Sequence, residues 1–188
     1  MRALVVYESM YGNTRLVASK IADGLRPRFE VTVVPVAAAT EELAGTADLL
    51  VVGGPTHLHQ MPTAGSRKMA AAVAEKQDSD LVLEPGADGP GIREWLPGIG
   101  PGHGQRLAVA FDTRIAGMPA LTGRASRGIS RLLKKRGYRL IAEPQSFLVD
   151  KRNVLAEGQQ TRATQWGSTI AGLALAELAS AAGRSLLG

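Results

Sequence analysis

The feature that most constrains this sequence is a repeated pairing: a short unbroken apolar run, then a polar turn, then apolar residues at helical spacing. Ala3 to Tyr7 is such a run, too short for a helix and rich in valine, as expected of a strand buried on both faces. After a break at Gly12, Leu16, Val17, Ile21 and Leu25 fall on one helical face, and the pattern stops before Pro27. Phe29, Val31 and Val33 alternate with polar partners and lead into Val34 and Val36, which predicts a second strand nearer a sheet edge. Asp48 to Val52 and Leu107 to Phe111 predict a third and a fourth strand, and Leu140 onward a fifth. Helices are expected near Glu41 to Leu43, from Pro62 through Met69, Val73 and Ala74, over Thr122 to Arg136, and through Trp166, Ile170, Leu173 and Leu178. Strands that alternate with helices call for a parallel sheet covered on both faces, with right-handed crossovers, so the class is an α/β sandwich.

Glu84 to Gly104 interrupts this rhythm, because Pro and Gly crowd around the short segment Ile92 to Leu96. The strand and helix alternation resumes beyond it, so residues 84–104 read as a long excursion within one domain spanning 1–188. With 188 residues, 45% of them apolar and 21% charged, the chain is long enough for one sizeable core without metal or disulfide staples. The absence of cysteine excludes disulfides, thiolate metal sites and cysteine nucleophiles, and it fits a reducing cytoplasm, the expected location. The first apolar run ends at Glu8, and Ile170 to Leu178 is equally short of a bilayer's thickness, so neither a signal segment nor membrane insertion is expected.

Charge is concentrated rather than spread. Between Asp112 and Glu143 stand Arg114, Arg124, Arg127, Arg131, Lys134, Lys135, Arg136 and Arg139 with no acid among them. Removing these eight from the 22 basic residues leaves 14 against 17 acidic ones elsewhere, a balance of −3. The plain reading is a solvated helix face; the functional one is a surface that steers an acidic partner or a phosphorylated ligand. Nucleic acid is disfavoured, since Tyr138 alone stands by the charges as a stacking group.

In an open parallel sheet the ligand lies beyond the carboxyl ends of the strands, so the residues after each strand carry the chemistry. The first such loop is Glu8-Ser9-Met10-Tyr11-Gly12-Asn13-Thr14. Hydroxyls at Ser9, Tyr11 and Thr14, a glycine that lets backbone approach a ligand, and a helix N-terminus directly afterwards suit a phosphate. The loop lacks the lysine of a Walker motif and the glycine spacing of a dinucleotide fingerprint. The plainer alternative is that Asn13 or Thr14 only caps a helix. A second loop runs from Gly53 to Pro62 and a third from Asp112 to Gly117. His57 and His59 lack a third recognisable ligand, so no metal is expected. Trp95 and Trp166 read as packing residues.

The segment YESMYGNT resembles the phosphate loop of flavodoxins, and Leu132 to Val149, a helix end of the type L-x-K-x-x-G followed by a strand, is similar to their C-terminal half. The resemblance covers most of the chain outside the excursion. It implies a doubly wound sandwich with a five-stranded parallel sheet of order 2-1-3-4-5, and FMN bound without a covalent link. It places the phosphate on Ser9, Met10, Tyr11, Gly12, Asn13 and Thr14. Pro55, Thr56, His57, Leu58 and His59 would flank one face and edge of the flavin, and Asp112, Thr113, Arg114 and Gly117 the other side. His57 stands where many flavodoxins stack a tryptophan, and Leu58 where many have the glycine whose peptide flips on reduction. The pattern G-x-P-T-x-x-x-x-M, here Gly53, Pro55, Thr56 and Met61, is similar to NAD(P)H:quinone reductases of the tryptophan-repressor-binding-protein type.

Three functions are therefore in play. The leading one is an FMN-binding electron carrier that works with a redox partner protein. The second is an FMN-dependent oxidoreductase acting on NAD(P)H and a quinone, and the third a flavodoxin-fold binding module without flavin. No catalytic acid or base is identifiable, and oligomeric state is left open.

Overall fold

Alternate residues of each central strand enter different cores. Ala3, Val5, Leu49, Val51, Val109 and Phe111 belong to one buried cluster, whereas Leu4, Val6, Leu50, Val52, Ala108 and Ala110 belong to another. A strand whose two faces both meet apolar partners is the signature of a covered parallel sheet. The computed structural model describes residues 1–118 and 122–185. In chain order these contain β1 (Arg2–Tyr7), α1 (Asn13–Leu25), β2 (Glu30–Pro35), α2 (Glu41–Thr46), β3 (Leu49–Pro55) and α3 (Ala64–Ala74). There follow α4 (Ile92–Trp95), β4 (Leu107–Ile115), α5 (Ala125–Lys135), β5 (Arg139–Leu140), β6 (Gln145–Val149) and α6 (Gln159–Ser185). The order β2-β1-β3-β4-β5, all parallel, is the one expected, with β6 pairing to β4 as an addition.

The addition has a physical cause. β5 pairs with β4 only through Arg139 and Leu140, opposite Leu107 and Ala108; β6 then pairs with the far end of β4, from Phe111↔Gln145 to Ile115↔Val149. Between them lies Pro144, which has no N–H to give to a ladder, so the expected fifth strand is split in two. β3 and β4 also run further than their apolar stretches predict. Gly53, Gly54 and Pro55 pair with Phe111, Asp112 and Thr113, so much of what reads as loop in sequence is strand.

Helices α1 and α6 cover one face, with Val17, Ile21 and Leu25 packed beside Ile170, Ala171 and Ala174. They approach closely. A Cβ at Gly24 would stand 2.1 Å from the Thr164 carbonyl oxygen, and one at Gly167 would stand 2.2 Å from that of Ile21. Trp166 meets Phe147 edge-on at 6.2 Å on this side. The other face is covered by Ile129 and Leu133 of α5 and by the excursion, which buries Ile92, Leu96 and Ile99. Trp95 packs there too, its indole N–H donating to the Ala39 carbonyl at 2.7 Å. No helix among the described residues is long and apolar enough to cross a membrane.

Candidate functional site

The carboxyl ends of β1, β3 and β4 open on a cavity of about 180 Å³, closed on its far side by Asn153 after β6. Its floor is the turn between β1 and α1. Gly12 there has φ +92°, a conformation that side chains disfavour, and it stands at the N-cap of α1 with no side chain capping the helix among the described residues. The first N–H groups of a helix have no carbonyl one turn back to accept them, and here no capping side chain takes that place. Ser9 Oγ accepts the Gly12 N–H at 3.1 Å and keeps its own hydrogen to donate. Asn13 donates through Nδ2 to the Asn153 carbonyl at 2.7 Å, which ties α1 to the loop after β6. Thr14 and Thr113 share a hydroxyl hydrogen bond of 2.7 Å, so α1 is also fixed to β4. Tyr11 turns its hydroxyl away, to the Ala70 carbonyl at 2.8 Å, and contributes its ring to the wall.

The turn is braced from behind by a buried ion pair. Arg67 on α3 meets Glu8 at 3.3 Å and, through its other terminal nitrogen, Glu94 at 3.1 Å. Glu8 also accepts the Ile92 N–H at 2.9 Å, which joins the excursion to the start of the loop. Burial outweighs these partners and raises the Glu8 carboxyl above the usual carboxylate range. A second brace comes from Glu84, whose N–H donates to the Met10 carbonyl at 2.8 Å while its carboxylate pairs with Arg15 at 2.6 Å.

Pro55, Thr56 and His57 form the β3 side of the cavity, and Thr113, Arg114 and Ile115 the β4 side. His57 is held below the ordinary histidine range by burial and by the nearby Arg67 guanidinium, so it is neutral at pH 7. Arg114 is buried and donates through one nitrogen to the carbonyls of Ile115 and Gly117 and to the Thr122 hydroxyl; its Nε has no partner among the described residues. The chain then turns back on itself, with His57 and Gln60 exchanging hydrogen bonds of 2.9 Å in both directions. Both central residues, Leu58 at φ +45° and His59 at φ +72°, are left-handed, as in the primed turns of tight hairpins.

Of the residues expected to contact a ligand, Ser9, Met10, Tyr11, Asn13, Thr14, Pro55, Thr56, His57, Thr113 and Arg114 line this one cavity. Gly12 shapes the turn beneath it, and Leu58 projects into solvent with 68% of its surface exposed. His59 faces a different cavity, and Gly117 serves through its carbonyl, which holds Arg114. The Asp112 side chain points elsewhere. It is fully buried and accepts the Ser126 N–H at 2.8 Å, while Thr56 Oγ accepts the neighbouring Ala125 N–H at 3.0 Å. Together these two side chains cap the N-terminus of α5. Desolvation raises the Asp112 carboxyl above its usual range. Asn153 and Arg67 carry no motif in the sequence, and Glu8, although it opens the first loop, gives no sign there of its buried pairing with Arg67. For Asn153 the available signal is the turn-forming run from Asp150, whose carboxylate accepts the N–H groups of Arg152 and Val154.

Residues 5–88 match the family model described as flavodoxin. The chain is flavodoxin-like. Its fold agrees along nearly its whole length with a solved flavodoxin from the domain Archaea, at 18% identity and a TM-score of 0.62, over 93% of this chain and 99% of that one. Oxidised Flavodoxin 1 from Bacillus cereus gives 18% and 0.60, over 96% and 98%. A flavodoxin, WrbA-like protein from Agrobacterium tumefaciens gives 17% and 0.57, over 94% and 98%. At these identities the three structures speak for the flavodoxin fold alone. No curated protein matches the chain.

Flavodoxin family proteins bind FMN. The donors of this flavodoxin-like chain fit that group: an uncapped helix end over a left-handed glycine, the Ser9 hydroxyl, and a buried guanidinium whose Nε–H has no partner among the described residues. The cavity is smaller than the roughly 300–1,000 Å³ usual for ligand pockets, so it can enclose only part of such a molecule and leaves the rest at the surface.

Proposed function

We propose that the protein is an FMN-dependent electron carrier which exchanges electrons with a partner protein. The observation that carries this reading is the exposed apolar character of the loops around the cavity. Leu58, Ile115, Met118 and Val154 are 68%, 53%, 66% and 57% exposed, and Ile115 also lines the cavity. Large exposed apolar residues at the end of β4 and on the segments that follow β3, β4 and β6, at the carboxyl end of the sheet where the cavity opens, suit a protein docking surface better than they suit water. When bound, FMN supplies the redox chemistry. The chain's own residues do the rest. The Ser9 to Thr14 turn holds the phosphate, the Thr14–Thr113 and Asn13–Asn153 hydrogen bonds fix that turn to the sheet, and neutral His57 lies on the β3 side without adding charge. Arg114 supplies a buried positive charge on the β4 side.

The test is anaerobic reduction of the flavin-loaded protein by NADPH, with and without a flavodoxin reductase. The carrier reading expects bleaching of the yellow colour to require the reductase. Fast bleaching by NADPH or NADH alone, followed by reoxidation with a quinone, would replace it with the oxidoreductase reading. A protein that takes up no flavin would leave only the binding module.

A further inference from the structure

Beside the flavin-side cavity, across the turn from His57 to Gln60, lies a second cavity of about 460 Å³ between that turn and α5. His59 and Gln60 face it, whereas His57 faces the first. The two walls are held together by direct backbone pairing of His59 with Gly123; a Cβ at Gly123 would stand 2.1 Å from the His59 carbonyl oxygen, and its φ is +72°. Arg93, Arg124, Arg127 and Arg131 line this space, and among the described residues no carboxylate does.

We propose that this cavity binds the phosphate end of a small organic phosphate, either a phosphomonoester or a diphosphate. The inference does not depend on the flavin reading. Arg127 and Arg131 are four apart and so project from one face of α5, while Arg124 stands just before the helix as its N-cap residue and reaches the same cavity. Like charges at this spacing repel, and α5 has no acidic residue in its first turn to offset positive charge at its N-terminal end. None of the four arginines makes an ion pair among the described residues. The missing counter-charge is what an anion would supply.

Two of the guanidiniums are set for that role. Arg93 gives its Nε hydrogen to the Pro62 carbonyl and its Nη2 hydrogens to the Met61 carbonyl and the Gln60 side chain. That leaves both hydrogens of Nη1 for a ligand, with the group already immobilised. Arg124 has a buried Nε without a partner among the described residues. Arginine presents a planar fork that matches phosphate oxygens two at a time, unlike the point charge of lysine. The concavity lies within the size range of small-molecule sites, and it has no aromatic platform on which nucleic-acid bases would stack.

The experiment is calorimetric titration of the protein as purified, at physiological salt, with inorganic pyrophosphate, NADPH and NADH. The site requires saturable binding of pyrophosphate or NADPH. Arg127→Gln/Arg131→Gln should weaken it by about tenfold or more, the scale of losing charged hydrogen bonds. Both side chains are exposed, so folding should survive. Lys134→Gln/Lys135→Gln removes the same charge outside the cavity and should change binding less than about twofold, since exposed charges at a distance are screened. NADPH binding tighter than NADH assigns a phosphomonoester; equal binding with displacement by pyrophosphate assigns a diphosphate. No saturable binding, equal weakening by the lysine pair, or association with an acidic polypeptide but with none of the three ligands would overturn the proposal. A preparation without flavin that still binds pyrophosphate would separate this site from the carrier reading.

Discussion

Leu58 and His59 occupy left-handed backbone although neither is glycine, at the turn that separates the two cavities. Such a conformation costs a side chain about 1–2 kcal/mol, partly offset in any glycine replacement by the freedom glycine gains in the unfolded chain. Leu58→Gly and His59→Gly should each raise stability by about 0.5–1 kcal/mol, read from chemical denaturation. A loss of stability would show that side-chain contacts, not backbone geometry, hold the turn. Asp112 offers a second test. Its folded-state pKa lies above the ordinary value of 3.8, so folding takes up a proton there, and the carboxyl's contribution declines as pH rises through the raised value. Asp112→Asn retains an acceptor for the Ser126 N–H but does not titrate. It should be no less stable than wild type at pH 7, and wild type should gain on it as pH falls toward 3.8. Asp112→Ala loses the helix cap and should cost about 1–2 kcal/mol. A wild-type advantage that grew with rising pH would contradict the desolvation account. The two kinds of residue differ in legibility. The position of the Ser9 to Thr14 turn is readable because the strand, the glycine and the helix start that shape it are contiguous, whereas Asp112 is set by a helix that begins 13 positions later and Glu8 by an arginine 59 positions away.

At the scale of elements, the apolar runs and helical spacings give the strands, the helices and their order, because the sheet is covered on both faces and its pattern is strong. The ends are another matter. β3 and β4 extend through Gly53–Pro55 and Asp112–Ile115 because they pair with each other there, and β4 is held on its outer side by β6. That support comes from partners far along the chain and outweighs the glycine and charge that signal a loop. The contact of α1 with α6 is equally hidden, since Gly24 and Gly167 read as weak helix positions and turn out to be where two backbones meet. Gly167→Ala, a favourable exchange by helix propensity, should therefore destabilise the protein by about 1–3 kcal/mol, seen as a lower denaturation midpoint with an unchanged slope. An increase in stability would show that the helices separate easily at this crossing.

At the scale of the whole molecule, the excursion at 84–104 covers part of a sheet face and, through Glu84 and Ile92, holds the start of the turn between β1 and α1. The basic segment resolves into parts with separate duties. Arg114 stands buried on the β4 side of the first cavity, Arg139 pairs with Glu177, Arg136 donates to the Ile99 carbonyl, and Arg124, Arg127 and Arg131 line the second cavity. The account rests on a phosphate held at the α1 end of the first cavity. The most direct measurement is the affinity of the flavin-free protein for FMN and for riboflavin, followed by flavin fluorescence, in wild type and in Ser9→Ala/Thr14→Ala. The account predicts that FMN binds at least about tenfold more tightly than riboflavin, and that the double variant weakens FMN by about 1–3 kcal/mol while leaving riboflavin nearly unchanged. Equal affinity for the two flavins, or FMN affinity untouched by the double variant, would contradict it.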